Sequence, residues 1–264
     1  MKKMIALLLA AMMVLSMAAC ASKTAAAADS DLAYIQDKGT LVIGITDFEP
    51  MDYKDADGNW IGFDADMAKA FAESLGVTAE FVEIDWDNKI LELDSKTIDC
   101  VWNGMTLTAE VTSTMECSNA YCNNAQVVIV PADKASEYQT VKSVKDLTFA
   151  AEAGSAGEAE LTALGYTVTP VKAQSDALME VAAGTSDAAV IDSLMAAAMV
   201  GEGTGYASLT YTCGLNSEEY GVGFRKGSDL AQKLNDFFKA SYADGSMMQI
   251  AETYGVQAAI IEQK

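Results

Sequence analysis

The chain has 264 residues, 51% of them hydrophobic, with 17 Lys and Arg against 38 Asp and Glu and no histidine, for a formal charge of −21. Such a surface repels nucleic-acid phosphates and anionic lipid headgroups, which excludes nucleic acid as a partner and leaves a membrane no electrostatic hold on the chain. The apolar content is too high and too evenly spread for disorder, and without histidine the usual zinc, Ser–His and Cys–His chemistries are absent, so no metal and no cofactor are expected.

Lys2 and Lys3 precede an apolar run over 4–17, and small residues follow up to Cys20. Residues 1–19 therefore read as a secretory signal peptide, its apolar part shorter than the ~20 residues a membrane span needs. Residues 20–38 are expected to be a lipidated cysteine and a flexible tether, because 21–30 is low in complexity and rich in Ala, Ser, Thr and Lys. Cys100, Cys117, Cys122 and Cys213 remain. Export permits disulfides, four thiols allow three full pairings, and Cys100 in its apolar run reads as a small buried hydrophobe.

The run 40–46 (TLVIGIT), bounded by Gly39 and Asp47, reads as a buried strand. Asp-Gly at 57–58 marks a turn. Residues 63–75 carry Phe63, Met67, Ala70, Phe71 and Leu75 at helical spacing, and Gly76 stops the helix. Asp64 and Asp66 at its start suit the helix dipole. A strand over 79–84, a helix over 88–94 and a strand over 99–102 follow. The pattern then restarts: strands at 126–130, 148–151, 167–171 and 188–191, with helices at 158–164, 175–183 and 193–200. A strand at 222–225 and helices at 229–244 and 247–254 close the chain.

Strand and helix alternation implies parallel pairing with helices on both faces, and about 235 residues after Ser30 suit two small lobes. The expected architecture is α/β, with one lobe from 39–130 and 218–264, the other from 131–217, and crossings near 130 and 215. Pro131 suggests the first crossing because proline cannot continue a ladder. Ligands of open α/β sheets bind beyond the carboxyl ends of the strands. Those ends carry Phe48, Asn103, Gly104, Met105, Thr106, Glu152, Ser155 and Asp192.

At these segments the sequence resembles the bacterial extracellular solute-binding proteins of family 3, the amino-acid-binding proteins of ABC importers, over about residues 41–255. The carrying motifs are GFDADMAKA at 62–70, DCVWNGMTLT at 99–108, DAAVID at 187–192 and YGVGFRK at 220–226. The resemblance implies a type II two-lobed periplasmic-binding-protein fold. Each lobe would be a mostly parallel sheet flanked by helices, and two hinge strands would join them. It implies no enzymatic activity, a membrane permease as partner, and an extracytoplasmic location with Met17-Ala18-Ala19-Cys20 as the lipidation signal, the membrane being touched through the lipid alone.

The resemblance also places a ligand ammonium on Asp192. It places a ligand carboxylate near Gly104, Thr106, Ser155 and Ala156, and aromatic flanks at Phe48 and Trp86; Asn103 and Met105 lie in the same segment. One departure stands out. Val111 occupies the position of the family's carboxylate-binding arginine, and Arg225, the chain's one arginine, lies in a late strand where the family's basic residue is outside the pocket. Either a lysine or further N–H groups replace the arginine, or the ligand carries no free carboxylate.

Plainer readings exist for several of these residues. Asp192 could cap the next helix, Phe48, Trp86 and Trp102 could be core aromatics, and Asn103 and Thr106 could satisfy loop backbone. The leading function is capture of a polar amino acid. The alternatives are an organic cation such as a polyamine or quaternary ammonium compound, held by Asp192 and aromatic faces, a dehydratase-like enzyme on the same fold, and a ligand-sensing partner of a membrane receptor.

Overall fold

The computed structural model describes residues 30–264; the expected signal peptide and Cys20 lie outside the described residues. The chain opens with helix α1 (Asp31–Lys38), strand β1 (Thr40–Ile45), a short hairpin β2 (Tyr53–Lys54) and β3 (Trp60–Ile61), and helix α2 (Phe63–Ser74). Strand β4 (Thr78–Glu83), helix α3 (Lys89–Asp94), strand β5 (Cys100–Thr106), helix α4 (Ala109–Thr114), and strands β6 (Glu116–Cys117) and β7 (Cys122–Asn124) follow.

The second stretch holds β8 (Gln126–Pro131), β9 (Thr148–Glu152), α5 (Ala156–Ala163), β10 (Thr167–Val171), α6 (Gln174–Ala183), β11 (Ala188–Asp192), α7 (Ser193–Met199) and β12 (Leu209–Gly214). The chain ends with β13 (Glu218–Phe224), α8 (Leu230–Asp244) and α9 (Ser246–Thr253).

Two sheets organise these elements. The first runs β4-β1-β5-β13-β6 with β7 also on β13, and the second runs β10-β9-β11-β8-β12. Each is parallel through three strands, β4-β1-β5 and β10-β9-β11, and antiparallel where β13 and β8 join. The sheets are therefore mixed: strands that cross between lobes enter running against the βαβ units. The parallel core explains the unbroken apolar strand runs, since helices cover both faces. Along α2, Phe63, Met67 and Phe71 recur every fourth residue and are all fully buried. Burying such a side chain contributes roughly 1.5–3 kcal/mol.

The expected crossing near 130 is corrected. Strand β8 from Gln126 already pairs with β11 and β12, while β7 to Asn124 pairs with β13, so the first passage is at Ala125. Pro131 ends β8 after the crossing. The return runs from Gly214 to Glu218, between β12 and β13.

The expected tether over 20–38 is also corrected at its distal end. Residues 31–38 form α1, where the Ser30 hydroxyl accepts the Ala33 amide and Gly39 closes the helix in the left-handed region. Ile35 is fully buried. Asp31 accepts hydrogen bonds from Nε and Nη2 of Arg225 at 3.1 and 2.9 Å, while Arg225 Nη1 donates to the Ile98 carbonyl at 2.8 Å and Nη2 reaches Asp99 at 3.3 Å. Arg225 is thus a strut tying α1 to the first sheet. Lysine cannot reproduce a planar fork. Arg225→Lys is expected to cost about 2 kcal/mol and lower the melting temperature by about 4–8 °C; an unchanged thermal transition would show that the strut contributes nothing.

All four cysteines beyond Cys20 are free thiols, with Cys100 and Cys122 buried. No described helix is long and apolar enough to cross a membrane.

Candidate functional site

The carboxyl ends of β5, β9 and β11 face a cleft of about 280 Å3 between the two sheets. Its lining includes Trp86, Asn103, Gly104, Met105, Thr106, Ser155, Ala156 and Asp192 from the expected set. Phe48 is not among them, which corrects its placement. The Phe48 backbone bonds to Asp52 in a tight turn, with N to O at 2.7 Å, and its ring packs edge-on against Tyr220 at 6.3 Å with 1% of the residue exposed. Phe48 supports the cleft from behind: a Cβ at Gly104, whose φ is +55°, would stand 2.5 Å from the Phe48 ring. Trp102 is likewise core, against Phe71 and Phe238.

Several expected donors are already engaged. Strand β5 continues to Thr106, so 103–106 is strand rather than loop. Asn103 is 4% exposed, and both ends of its amide bond to Thr46. The Gly104 amide donates to Asp64 Oδ2 at 2.7 Å, and the Tyr121 hydroxyl donates to the same oxygen at 2.7 Å. Gly104 is therefore corrected as a free ligand donor, and Asp64, in the first turn of α2 as expected, has a further task. Asp64 is fully buried, and its role is to fix the backbone of β5 at the cleft edge. The Thr106 hydroxyl donates to Glu218 at 2.9 Å. Ser155 caps α5 by accepting the Glu158 amide at 3.1 Å, and its hydroxyl donates to no acceptor among the described residues.

Asp192 stands at the N-cap position of α7 but makes no capping hydrogen bond. Its Oδ1 accepts from Gln126 and the Tyr220 hydroxyl at 2.8 Å each and from Asn124, and its Oδ2 accepts from Gln174. Asn124 and Gln126 also donate to Glu218, at 2.7 and 2.9 Å. These residues flank the crossings, so one amide network ties the cleft carboxylate to both passages between the lobes. Burial above all, then the Glu218 carboxylate, pushes Asp192 up to about 7, against the hydrogen bonds from Tyr220, Gln174 and Gln126.

Sequence reasoning put Glu152 and Gly154 at a strand end facing the cleft without giving either a binding role, and did not place Lys89, Gln126 or Gln174 there; all five line it, as does Glu110. Glu152 matters most. It is 2% exposed, and its Oε1 has no hydrogen-bond partner among the described residues. Burial first and Asp192 second push it up to about 8, with Lys89 pulling the other way. Its position at the end of β9 was the available signal, since residues there face the cleft. Gly154 opens the opposite wall; its φ is +71°, and a Cβ there would stand 2.8 Å from the Asp87 backbone of the first lobe. Only glycine lets the two lobes approach so closely.

The cleft is therefore acidic, with Glu110, Glu152 and Asp192 against Lys89. One buried carboxylate oxygen there has no partner, and Trp86 forms an aromatic wall. Such an arrangement suits a small polar molecule carrying positive charge better than a purely anionic one.

Comparison with known proteins agrees with this fold. Residues 41–257 match the family described as bacterial extracellular solute-binding proteins, family 3. The chain is 28% identical to an arginine-binding extracellular protein of Bacillus subtilis, over 96% of this chain and 98% of that one. It is 30% identical to an L-arginine-binding protein of Pseudomonas aeruginosa, over 78% and 84%. Its fold matches the crystal structure of an ABC uptake transporter substrate-binding protein from Streptococcus pneumoniae with bound histidine, at a TM-score of 0.80 and 31% identity, over 88% and 99% of the two chains.

Proposed function

Because the chain belongs to the bacterial extracellular solute-binding proteins of family 3, we propose that it is the extracytoplasmic binding component of an ABC importer. It captures a polar amino acid or a close relative in the interlobe cleft and hands it to a membrane permease, with no covalent bond made or broken. The observation that carries this reading is the pair of buried carboxylates, Glu152 and Asp192, in one cleft between two sheets. Two carboxyls so placed repel each other when ionised, and a ligand cation relieves that repulsion. Relatives that bind arginine and histidine fit a solute bearing positive charge.

Titration calorimetry against the twenty standard amino acids and L-cystine tests the proposal. At least one is expected to bind with a dissociation constant in the micromolar range or below; absence of binding throughout that panel would remove it. A second reading, an organic cation without a carboxylate, is favoured by one observation: Val111, apolar and 4% exposed, lines the cleft where the arginine of the resemblance would stand. Melting-temperature shifts with putrescine, spermidine and choline compare the two.

Cys20 is proposed as the lipid attachment point, with the acyl chains contributing roughly 0.8 kcal/mol of membrane affinity per buried methylene. Cys20→Ala is expected to move the protein from the membrane fraction to the soluble fraction, read by immunoblot; unchanged partitioning would refute the anchor.

A further inference from the structure

Among the described residues the cleft is lined by one cation, a lysine rather than an arginine. Lys89 opens α3 in the first lobe and is 8% exposed. Its ammonium lies 4.9 Å from the Trp86 ring centroid and donates to two carbonyls, Trp86 at 3.2 Å and Gly154 of the second lobe at 3.0 Å. Both acceptors are neutral, and Lys89 forms no ion pair among the described residues. Val111 lines the same cleft and packs in one apolar cluster with Trp86 and Met105.

Glu110, Glu152 and Asp87 act on the Lys89 ammonium only from a distance, and positive potential gathers beside it on the second lobe. Gly154 lies two residues before α5. The amides of Ala156 and Gly157 that open that helix find no acceptor among the described residues, and the helix dipole adds positive potential there. Ala156 lines the cleft as well. The Lys89 ammonium and Ala156, the first residue of α5, thus border one cavity from opposing lobes. The unpartnered Glu152 oxygen and Asp192 supply the negative charge of the same cavity.

We infer that Lys89, together with the first amides of α5, receives the carboxylate of the bound solute in place of the arginine that Val111 displaces. The solute class is accordingly a zwitterion with a free carboxylate. This deepens the solute-binding reading above and rests on it. A buried cation whose hydrogen bonds all go to neutral carbonyls, with carboxylates only at a distance, is incompletely compensated; a ligand carboxylate supplies both charge and strong acceptors. Burial lowers the basicity of Lys89, while Glu110, Glu152 and Asp87 oppose that effect. A lysine is a point charge without the fork of an arginine, so the helix amides share the work of orienting the anion.

The test compares, by calorimetry, the tightest amino acid of the panel with its carboxamide on the wild type, Lys89→Met and Lys89→Arg. The wild type is expected to prefer the acid by about 100-fold. Lys89→Met is expected to lose about 100-fold for the acid and to bind acid and amide alike, while Lys89→Arg keeps at least about a tenth of the wild-type affinity. Circular dichroism melting of each unliganded variant confirms that it is folded. Lys89→Met retaining the wild-type affinity and preference would overturn the inference and leave the functional reading intact. So would a wild type that binds the carboxamide as tightly as the acid, a comparison that needs no variant. A wild type that binds no amino acid would overturn the functional reading itself, and this inference with it.

Discussion

Replacing Asp192 by asparagine is expected to weaken capture of a cation-bearing amino acid by about 100-fold or more. The Asp192 carboxylate sits where Asn124, Gln126, Gln174 and Tyr220 all donate to it. It is 4% exposed, so bulk water screens its charge weakly. An asparagine presents one acceptor and one NH2 group to the same four donors and carries no charge for a ligand ammonium. Removing one partner of a buried charge pair costs about 2–5 kcal/mol, and each 1.4 kcal/mol is tenfold in affinity. Titration calorimetry of wild type and Asp192→Asn with the tightest ligand measures this directly. The unliganded melting temperature is expected to move by only a few degrees, because asparagine resembles the neutral carboxyl that Asp192 becomes when burial raises it to about 7. Equal affinities would remove Asp192 from the binding site.

A second large effect follows from the two cleft carboxyls together. Asp192 stands near 7 and Glu152 near 8, far above their ordinary values of 3.8 and 4.5. A carboxyl raised on folding favours the folded state while protonated, so its contribution is whole below about pH 4 and is lost as pH climbs through 7 and 8. The unliganded protein is therefore expected to lose on the order of 5 kcal/mol between pH 5 and pH 9, seen as a melting temperature lower by roughly 10 °C. The buried Asp64, raised to about 6, acts in the same direction. A bound cation favours the ionised carboxylates. Affinity is then expected to rise with pH between about 6 and 9, and binding near pH 7 to release protons.

Calorimetry in two buffers of different ionisation enthalpy counts those protons. Glu152→Gln is expected to abolish the upper part of the pH dependence and leave the part belonging to Asp192. Proton uptake on binding, or affinity that falls as pH rises from 6 to 9, would mean that neither carboxyl faces the ligand's positive charge.

The linear sequence by itself determined the elements whose periodicity is local. The run TLVIGI became β1, and the four-residue spacing of Phe63, Met67 and Phe71 became α2, because a buried parallel strand and a one-sided helix each write their environment into consecutive residues. Asp192, directly after the apolar run of β11, was legible in the same way, and the motif at 99–108 carried Asn103, Gly104, Met105 and Thr106 of the cleft lining. Helix α1 carries its own signals, with Ser30 as cap, Leu32 and Ile35 three apart, and Gly39 as stop, but it is only eight residues long and continues directly from a low-complexity stretch, so its boundary is weakly marked in sequence.

Only the tertiary structure decided which distant groups meet. A strand belongs to the lobe of its pairing partners, so the apolar run of β8 could not reveal that it sits in the second sheet. Phe48 looks the same to sequence whether it lines a cleft or backs it. Lys89 and Glu152 are ordinary charged residues until folding removes both from water and sets them on facing lobes of one cavity. Desolvation and the company of other charges come from packing between remote segments, and they give these two residues their chemistry.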